Sequence, residues 1–578
     1  MNDASPNLDQ PPSIDYDQLP AGPVNRLANQ ELFCLVDAAS DVYDVTWPWS
    51  GAVYARTIRL IVSDWQDGVL APLVTRFFPG HQETIAGAEG MIVTKRLITP
   101  WKSPDDRVLL WLLECQAEGD RLLKLEIEID WGEALDQRMV DGLLVAQRNP
   151  GPARGIYQQS NAESTRVFGN PHGRPDETHL DDPQRARLVY HVLVNGIVEV
   201  PLMLTISDVG EQVAWSAFLS QRDTEQVFTM STEAWGRLVG AGRLWTPDPA
   251  FNRAAHLGKL AAIHHVQHTR TGWTPSDRRV EAIAALVRAW DAIDPVVSRN
   301  LLAHVRRVAE ESQGHLPTLL PARPKEDPAV VSAAALAVNN RSYLLASHDH
   351  LVAYGDIAWH KEQQPAIQLC VETIVRLRWE DAPAAHSAAT QALIVDLLQH
   401  AVEIAVAVGD DVNAARWEGE VRALGESRPQ ERKEDDALAP WHHRLTTAHR
   451  QALARQPWVF APADDGIALA GDAVWAGCGV HWRAGELWVE PAWPVVWPWW
   501  ALLSLPLIGD RFLSLLWDGH TLHATQPLRS QLPVQTHKRI QLKHAGEFDF
   551  DPYFELTSDS DPGDTSATHR FKPVFRLD

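Results

Sequence analysis

The sequence predicts a multi-domain α and β protein: an N-terminal antiparallel β-sandwich, a helical-hairpin middle domain and a small C-terminal β-domain. Three observations predict it. Apolar and polar residues alternate with period two through the first part of the chain. The period changes to helical spacing near Pro247, and strand-like patterning returns after Pro457. A chain of 578 residues is also too long for one hydrophobic core. The implied division is a flexible arm over residues 1–29, a β-sandwich over 30–245, a helical-hairpin domain over 246–456 and a β-domain over 457–578.

The arm is polar and rich in proline, a composition that buries little. The clearest strand follows in Leu123, Leu125, Ile127, Ile129 and Trp131, which alternate with Lys124, Glu126, Glu128 and Asp130. Val108–Leu113 is apolar throughout and reads as a strand buried on both faces. Arg56–Val62 and Met91–Leu97 add two more. Leu188–Val194 and Ile197–Leu204 flank Asn195-Gly196, residues that accept the positive φ of a type I′ turn, so a hairpin is predicted there. This density of strands and turns is that of a large antiparallel sandwich.

Asp248-Pro249 then opens a helix with Phe251, Ala255, Leu260 and Ile263 on one face. Val280, Ile283, Val287 and Trp290 follow behind an N-cap at Ser276 or Asp277. Asp294-Pro295 begins a third helix with Leu301, Val305 and Val308 inward. Further helices are predicted over 330–345, 367–377, 393–408, 414–424 and 442–453, joined by short turns marked by proline or glycine. No period is regular enough for a solenoid. Residues 426–436 and 557–568 read as polar loops. Strands are predicted at Gly485–Val489 and Phe571–Leu577, with a hairpin of Phe512–Trp517 and His520–His523 across Asp518-Gly519.

Composition excludes several functions. The net charge of −23 opposes nucleic acid and anionic membrane surfaces as partners. Cys34, Cys115, Cys370 and Cys478 lie far apart, which is neither a zinc motif nor a disulfide framework. The first twenty residues carry Asp3, Asp9, Asp15 and Asp17 and no basic-then-apolar signal, so the expected location is the cytoplasm. Pro491–Gly509 contains no charge, but Pro494, Pro498 and Pro506 would break a lipid-facing helix, and no membrane span is expected. The phosphate-cradling glycine motifs and the G-x-S-x-G elbow are absent.

A large sandwich running into helical hairpins and closed by a small β-domain resembles the six-hairpin glycosidases, the superfamily of glucoamylase-like, trehalase-like and rhamnosidase-like enzymes. The residues carrying the resemblance are Pro247-Asp248-Pro249-Ala250-Phe251-Asn252-Arg253-Ala254 at the handover, Thr271-Gly272-Trp273, and Gly314-His315-Leu316-Pro317. It implies a toroid-like α/α array and a carbohydrate ligand, with no metal and no organic cofactor. It also implies two carboxylates flanking the scissile bond, one of them held protonated. A ring of twelve helices needs about 300 residues, whereas the helical part spans only Pro249–Arg455, so the ring is incomplete or several helices are short.

Under that resemblance Asp277 or Glu281 would face Glu326, Asp327 or Asp356, and Trp273, His348, Asp349, Trp359 and His360 would bind the sugar. Trp273 follows Gly272, where the first helix is expected to end, which puts it on a loop lining any cleft. Each residue has a plainer reading. Asp277 caps the next helix, Glu326-Asp327-Pro328 has helix-start composition, and Glu281 is a solvated helix residue. Most of the 24 tryptophans must be core. His264 and His268 lie one helical turn apart but lack a third metal ligand, and His348-Asp349-His350 reads as a loop pair. Three functions stay open: hydrolysis of an α-linked oligosaccharide, carbohydrate binding on the same fold without catalysis, and a purely structural interaction role.

Overall fold

The structure, a computed structural model, describes residues 13–15, 22–64, 66, 68–88, 90–101, 107–148, 164–323, 331–380, 388–425, 464–493, 497–509, 511–543 and 574–577. Glu326 and Asp327, the helix expected over 442–453 and the loops expected over 426–436 and 557–568 lie outside them. Two compact units emerge, one built on Met1–Arg237 and the other on Leu238–Gln456 and Ala461–Phe550.

Period-two patterning in the first unit becomes an antiparallel sheet of fourteen strands. They are β1 (Ser13–Asp15), β2 (Pro23–Ala28), β3 (Phe33–Asp37), β4 (Val42–Trp47), β5 (Ala52–Asp64), β6 (Ala71–Phe77) and β7 (His81–Ala88). After these come β8 (Met91–Ile98), β9 (Val108–Asp130), β10 (Asp136–Val140), β11 (Leu143–Gln147), β12 (Thr165–Gly169), β13 (Glu177–His179) and β14 (Arg185–Ser207). The expected arm is therefore shorter than 29 residues, since β1 and β2 pair with β6 and β3. Leu123, Leu125, Ile127 and Ile129 are buried while Lys124, Glu126, Glu128 and Asp130 are half-buried, as alternation requires.

Asn195-Gly196 does not turn the chain. β14 runs on through it and stays paired with β9 from Thr205↔Val108 to Arg185↔Asp130. Residues 118–120 of β9 lie opposite Asn195 in a bulge, with Gly119 at φ 80 and Gly196 at φ 72. Asn195 Nδ2 donates to Asp120 Oδ1 at 2.6 Å. The positive φ expected of a turn is spent on a bulge because both strands carry a glycine where they bend together.

The first half of β9 pairs with β8 and the second half with β5, so one strand joins two sets of partners into a single sheet. A single apolar cluster joins Leu27, Val36 and Val42 to Val93, Leu97, Trp111 and Leu113. Polar links cross it: Asn25 Nδ2 donates to Gln82 Oε1 at 3.1 Å, and Lys95 Nζ to the Leu60 carbonyl at 2.8 Å. Strands were expected up to residue 245, but α1 (Glu211–Ser220) and α2 (Thr224–Gly240) occupy that stretch. Ala214 and Phe218 of α1 share a cluster with Val145, Val167 and Met203 of the sheet, and Ala217 is buried with them, a spacing of three and four that only a helix turns to one side.

The second unit opens with β15 (Arg243–Trp245) and α3 (Pro249–His264), whose N-cap Asp248 accepts from Phe251 N. A hairpin of β16 (Val266–Thr269) and β17 (Gly272–Pro275) then interrupts the helices, which overturns the expectation of helices alone. Val266, Thr269 and Thr274 are buried β-branched residues that suit strands. A 3₁₀ turn, Val280–Ala282, leads into α4 (Ile283–Asp291) and α5 (Pro295–Glu311), the latter capped by Asp294 as expected. Next come α6 (Ala333–Tyr354), α7 (Ile357–Glu380), α8 (Ala388–Val408) and α9 (Asp411–Gly425). The strands expected directly after Pro457 are preceded by α10 (Asp464–Asp472) and a π-helical turn, Ala473–Gly477. Residues 389–408 of α8 are long and apolar enough to cross a membrane by length and composition, and α8 packs against α6, α7 and α9.

The chain ends in β18 (Val480–Arg483), β19 (Glu486–Val489), β20 (Trp500–Leu507), β21 (Arg511–Trp517), β22 (Leu522–Ala524), β23 (Val534–Thr536), β24 (Ile540–Lys543) and β25 (Val574–Leu577). β15 is an edge strand of their five-stranded sheet, in the order β15-β20-β21-β22-β23. Helices and sheet share a core, with Ala353 and Tyr354 clustered with Val489, Leu502 and Leu513. The tryptophan-rich stretch packs inward, Trp493 and Trp497 each lying 5.7 Å from the Phe251 ring. The β21–β22 hairpin forms, but its turn spans Asp518–Thr521 and only Gly519 has positive φ, so it is not a two-residue type I′ turn. Asp518 Oδ1 instead accepts from the backbones of His520 and Thr521, each at 2.8 Å.

Two measurements test this packing. A Cβ on Gly258 of α3 would lie 1.9 Å from the Gly466 carbonyl of α10, whereas one on exposed Gly419 of α9 would meet nothing within 4 Å. Gly258→Ala is expected to cost about 1–3 kcal/mol and Gly419→Ala to stabilise by about 0.5–1 kcal/mol, read as opposite shifts in urea midpoint. At the β21–β22 turn, burial would raise the Asp518 carboxyl, but hydrogen bonds from His523 and from the backbones of Thr521 and His520 outweigh it and hold it at about 2. Its contribution is then present above the ordinary carboxylate range and is lost as the pH falls toward about 2. Asp518→Asn should therefore melt below wild type near neutral pH, with the gap closing in acid.

Candidate functional site

The site best built from below lies where α6 hands over to α7. Gly355 ends α6 in the left-handed region at φ 62, its N–H bonded to the Leu351 carbonyl at 2.7 Å. Asp356 then starts α7, its Oδ1 accepting from Trp359 N at 3.1 Å. The other oxygen, Oδ2, accepts from Arg299 Nη2 of α5 at 2.7 Å. Arg299 Nε faces His350 Nε2 of α6 at 3.3 Å, and His350 Nδ1 meets Asp291 Oδ1 of α4 at 2.8 Å. These partners assign the ring hydrogen to Nδ1, since Nε2 has to accept from a guanidinium.

The chain of bonds thus runs from Asp291 and His350, at 1% and 0% side-chain exposure, out to Arg299 and Asp356, at 31% and 23%. Tyr354 Oη donates to the Asp291 carbonyl, fixing the inner end. Half-buried Trp359 completes the outer end, with its ring 5.0 Å from His350 and the Arg299 guanidinium 5.7 Å from its centroid. His360 is structural. Its Nδ1 and Nε2 lie 2.8 and 2.9 Å from the Asp356 and Ser347 carbonyls. Burial pulls this imidazole down to about 4 against the effect of those carbonyls.

The other candidates gather elsewhere. Asp277 was expected to cap a helix, but the 3₁₀ turn begins at Val280 with no side-chain cap. Asp277 Oδ1 instead accepts from Arg279 N at 3.0 Å, and the Arg279 guanidinium spans Asp277 and Glu281. Burial would raise the Asp277 carboxyl, but the bonds to Arg279 outweigh it and hold it below its usual range. Trp273 does not follow a helix end. It lies half-buried in β17, stacked on His268 at 5.2 Å, with its carbonyl facing His304 Nδ1 at 2.7 Å.

His348, Asp349 and His350 are not a loop pair but part of α6. His348 turns to Glu403 of α8, at 2.6 Å, and Asp349 to Arg288, at 3.6 Å. The structure therefore brings Asp356, Trp359 and His360 together, pairs Asp277 with Glu281 through Arg279, and directs His348 and Asp349 to other neighbours. Sequence reasoning missed Asp291, which stood visible as a charge directly after the buried Val287 and Trp290, and Arg299, for which there was no signal.

Asp277, Glu281 and Asp356 each hold a guanidinium within 2.7 Å. None sits in the apolar, charge-free setting that keeps a carboxyl protonated for acid catalysis. The outer end of the α6–α7 site instead offers what sugar recognition uses, an aromatic face beside fixed polar groups of both signs.

Several solved structures are similar to this chain in fold. A candidate kojibiose phosphorylase from the human microbiome matches with a TM-score of 0.53 at 8% identity, over 89% of this chain and 94% of that one. A GH78-family rhamnosidase of Bacillus sp. GL1 matches with a TM-score of 0.41 at 11% identity, over 72% of this chain and 53% of that one. A GH92 inverting mannosidase from Bacteroides thetaiotaomicron matches with a TM-score of 0.42 at 10% identity, over 72% of this chain and 61% of that one. No family model and no curated protein matches the sequence. The likeness is carried by the first of these and is one of fold alone. At that level the chain shares the overall architecture of that candidate kojibiose phosphorylase.

Replacing Asp291 with alanine leaves the buried His350 donor without its acceptor. Asp291→Ala is expected to cost about 1–3 kcal/mol, and Trp359→Phe at the outer end less than about 1.5 kcal/mol, by urea denaturation.

Proposed function

We propose that this chain binds an oligosaccharide at the α6–α7 turn and does not hydrolyse it. The observation that carries the reading is the Asp356–Arg299 pair at 2.7 Å beside half-buried Trp359, braced from behind by His350 and Asp291. A pyranose would lay its apolar face on the indole while its hydroxyls exchange hydrogen bonds with the carboxylate and guanidinium. Preorganisation favours this, because the polar groups are already held and little entropy is lost on binding. The glycosidase-like fold supports a sugar ligand, and the Arg-bound carboxylates favour binding over acid catalysis. In this reading α3–α10 form an incomplete α/α toroid. The four cysteines are buried and unpaired, which suits the reducing cytoplasm.

Calorimetric titration with α-linked glucose disaccharides, kojibiose among them, and with longer oligosaccharides tests it. Wild type should bind at least one, and Trp359→Ala should weaken that binding by about tenfold or more, in keeping with stacking worth over about 1 kcal/mol. Trp273→Ala serves as the comparison: a lower melting temperature with unchanged affinity makes Trp273 a structural residue. Release of reducing sugar that Asp277→Asn or Asp356→Asn abolishes would replace this reading with hydrolysis, in which Asp277 or Glu281 faces Glu326, Asp327 or Asp356. If no glycan binds, a scaffolding role takes its place.

A further inference from the structure

Helices α6 and α8 pack against each other, and their contact face gathers two imidazoles and a carboxylate. His348 comes from α6; His400 and Glu403, three apart, come from one face of α8. One ligand atom from each falls within 4.8 Å of the others. His348 Nε2 lies 2.6 Å and His400 Nδ1 3.9 Å from the same Glu403 oxygen. His400 Nδ1 is buried and has no hydrogen-bond partner among the described residues. We propose that His348, His400 and Glu403 form a binding site for a divalent transition-metal ion of the zinc type, held by His348 Nε2, His400 Nδ1 and a Glu403 oxygen.

The surroundings fit that use in three ways. The far nitrogen of each imidazole has a carboxylate nearby, just beyond hydrogen-bond distance: His348 Nδ1 lies 3.8 Å from Asp349 Oδ1, and His400 Nε2 3.6 Å from Asp396 Oδ1. A shift of a few tenths of an ångström would let each carboxylate accept from the ring N–H, which orients a ligating imidazole and makes its metal-facing nitrogen more basic. Those carboxylates are themselves held, Asp396 by Arg341 and Asp349 by Arg288. Second, ligand separations of 2.6 and 3.9 Å bracket the edge of roughly 3.3 Å that tetrahedral zinc with bonds of about 2.0–2.1 Å requires. Third, the imidazoles are only 18% and 17% exposed whereas Glu403 is 58% exposed, so the carboxylate is free to adjust and solvent has a way in. Three protein ligands leave a fourth position for water or another oxygen donor. Two imidazoles with one carboxylate suit zinc and its neighbours better than calcium or magnesium, which prefer all-oxygen sets. Sequence reading missed the site because its ligands come from two helices some fifty residues apart, outside the short spacings that mark a metal motif. The site stands independently of the sugar reading.

The test is titration of the chelator-stripped full chain with zinc chloride, followed by calorimetry and by thermal melting. Wild type should take up about one ion per chain and melt higher with it. His400→Ala and Glu403→Gln should each abolish that uptake, and Asp396→Asn should weaken it by about 10–100-fold. Glu403 is exposed, so Glu403→Gln decides the matter if His400→Ala fails to fold. Cobalt(II) should give the intense visible absorption of a tetrahedral site in wild type and lose it in Glu403→Gln. Absence of saturable uptake in wild type, or uptake unchanged in Glu403→Gln, would overturn the proposal.

Discussion

A carboxylate at 1% exposure inside a helical array has to be met by donors, and how Asp291 is met organises much of the second unit. His350 supplies the donor at Oδ1, which ties α4 to α6. Because that bond commits the hydrogen to Nδ1, Nε2 is left as an acceptor, and Arg299 from α5 fills it. Arg299 then reaches Asp356, whose second oxygen caps α7. Four helices are thus set by one series of donor–acceptor choices. The bonds run from the core outward, with Asp291 Oδ2 left without a hydrogen-bond partner among the described residues at the inner end and the Arg299–Asp356 pair within reach of solvent at the outer end.

Legibility in the sequence followed interaction range. Where a residue's role depends on chain neighbours, patterns alone were enough. The alternation of Leu123–Trp131, the Asp248-Pro249 and Asp294-Pro295 helix starts and the β21–β22 hairpin are of this kind. Asn195-Gly196 failed because a glycine's positive φ serves a bulge as well as a turn, and only the partner strand decides. Residues 211–240 failed because the helical spacing of Ala214, Ala217 and Phe218 is too brief to compete with the strands before it. The α6–α7 site was half legible. Asp356, Trp359 and His360 are sequence neighbours, whereas Asp291 and Arg299 reach it from 57 or more residues away. His400 and Glu403 were invisible for the same reason.

Helix α6 is where these features meet. Its buried positions Ser347, His350, Leu351 and Tyr354 serve the core and the Asp291 network, while His348 and Asp349 turn to other neighbours. Residues two apart on a helix point to different sides, so His348 and His350 belong to separate assemblies although nearly adjacent in sequence. Asp277, Glu281 and Asp356 each hold a guanidinium, so these carboxylates are committed to ion pairs. Proton delivery to a leaving group would need a different setting.

The position of β15 bears on how the second unit comes into being. Arg243–Trp245 pairs with Leu503–Ala501 of β20, so the strand preceding all the helices of this unit completes its hydrogen bonds only with a segment about 260 residues further along. During synthesis β15 leaves the ribosome long before its partner exists, and α3–α9 are made in the interval. Helical packing can begin early because its contacts are local, but the sheet is a late event with a large loop-closure cost. Until then the edge of β15 stays open to incorrect partners. The C-terminal strands thus act as the closing clasp of the unit, and chaperone dependence during synthesis should concentrate in the window before Trp500 emerges.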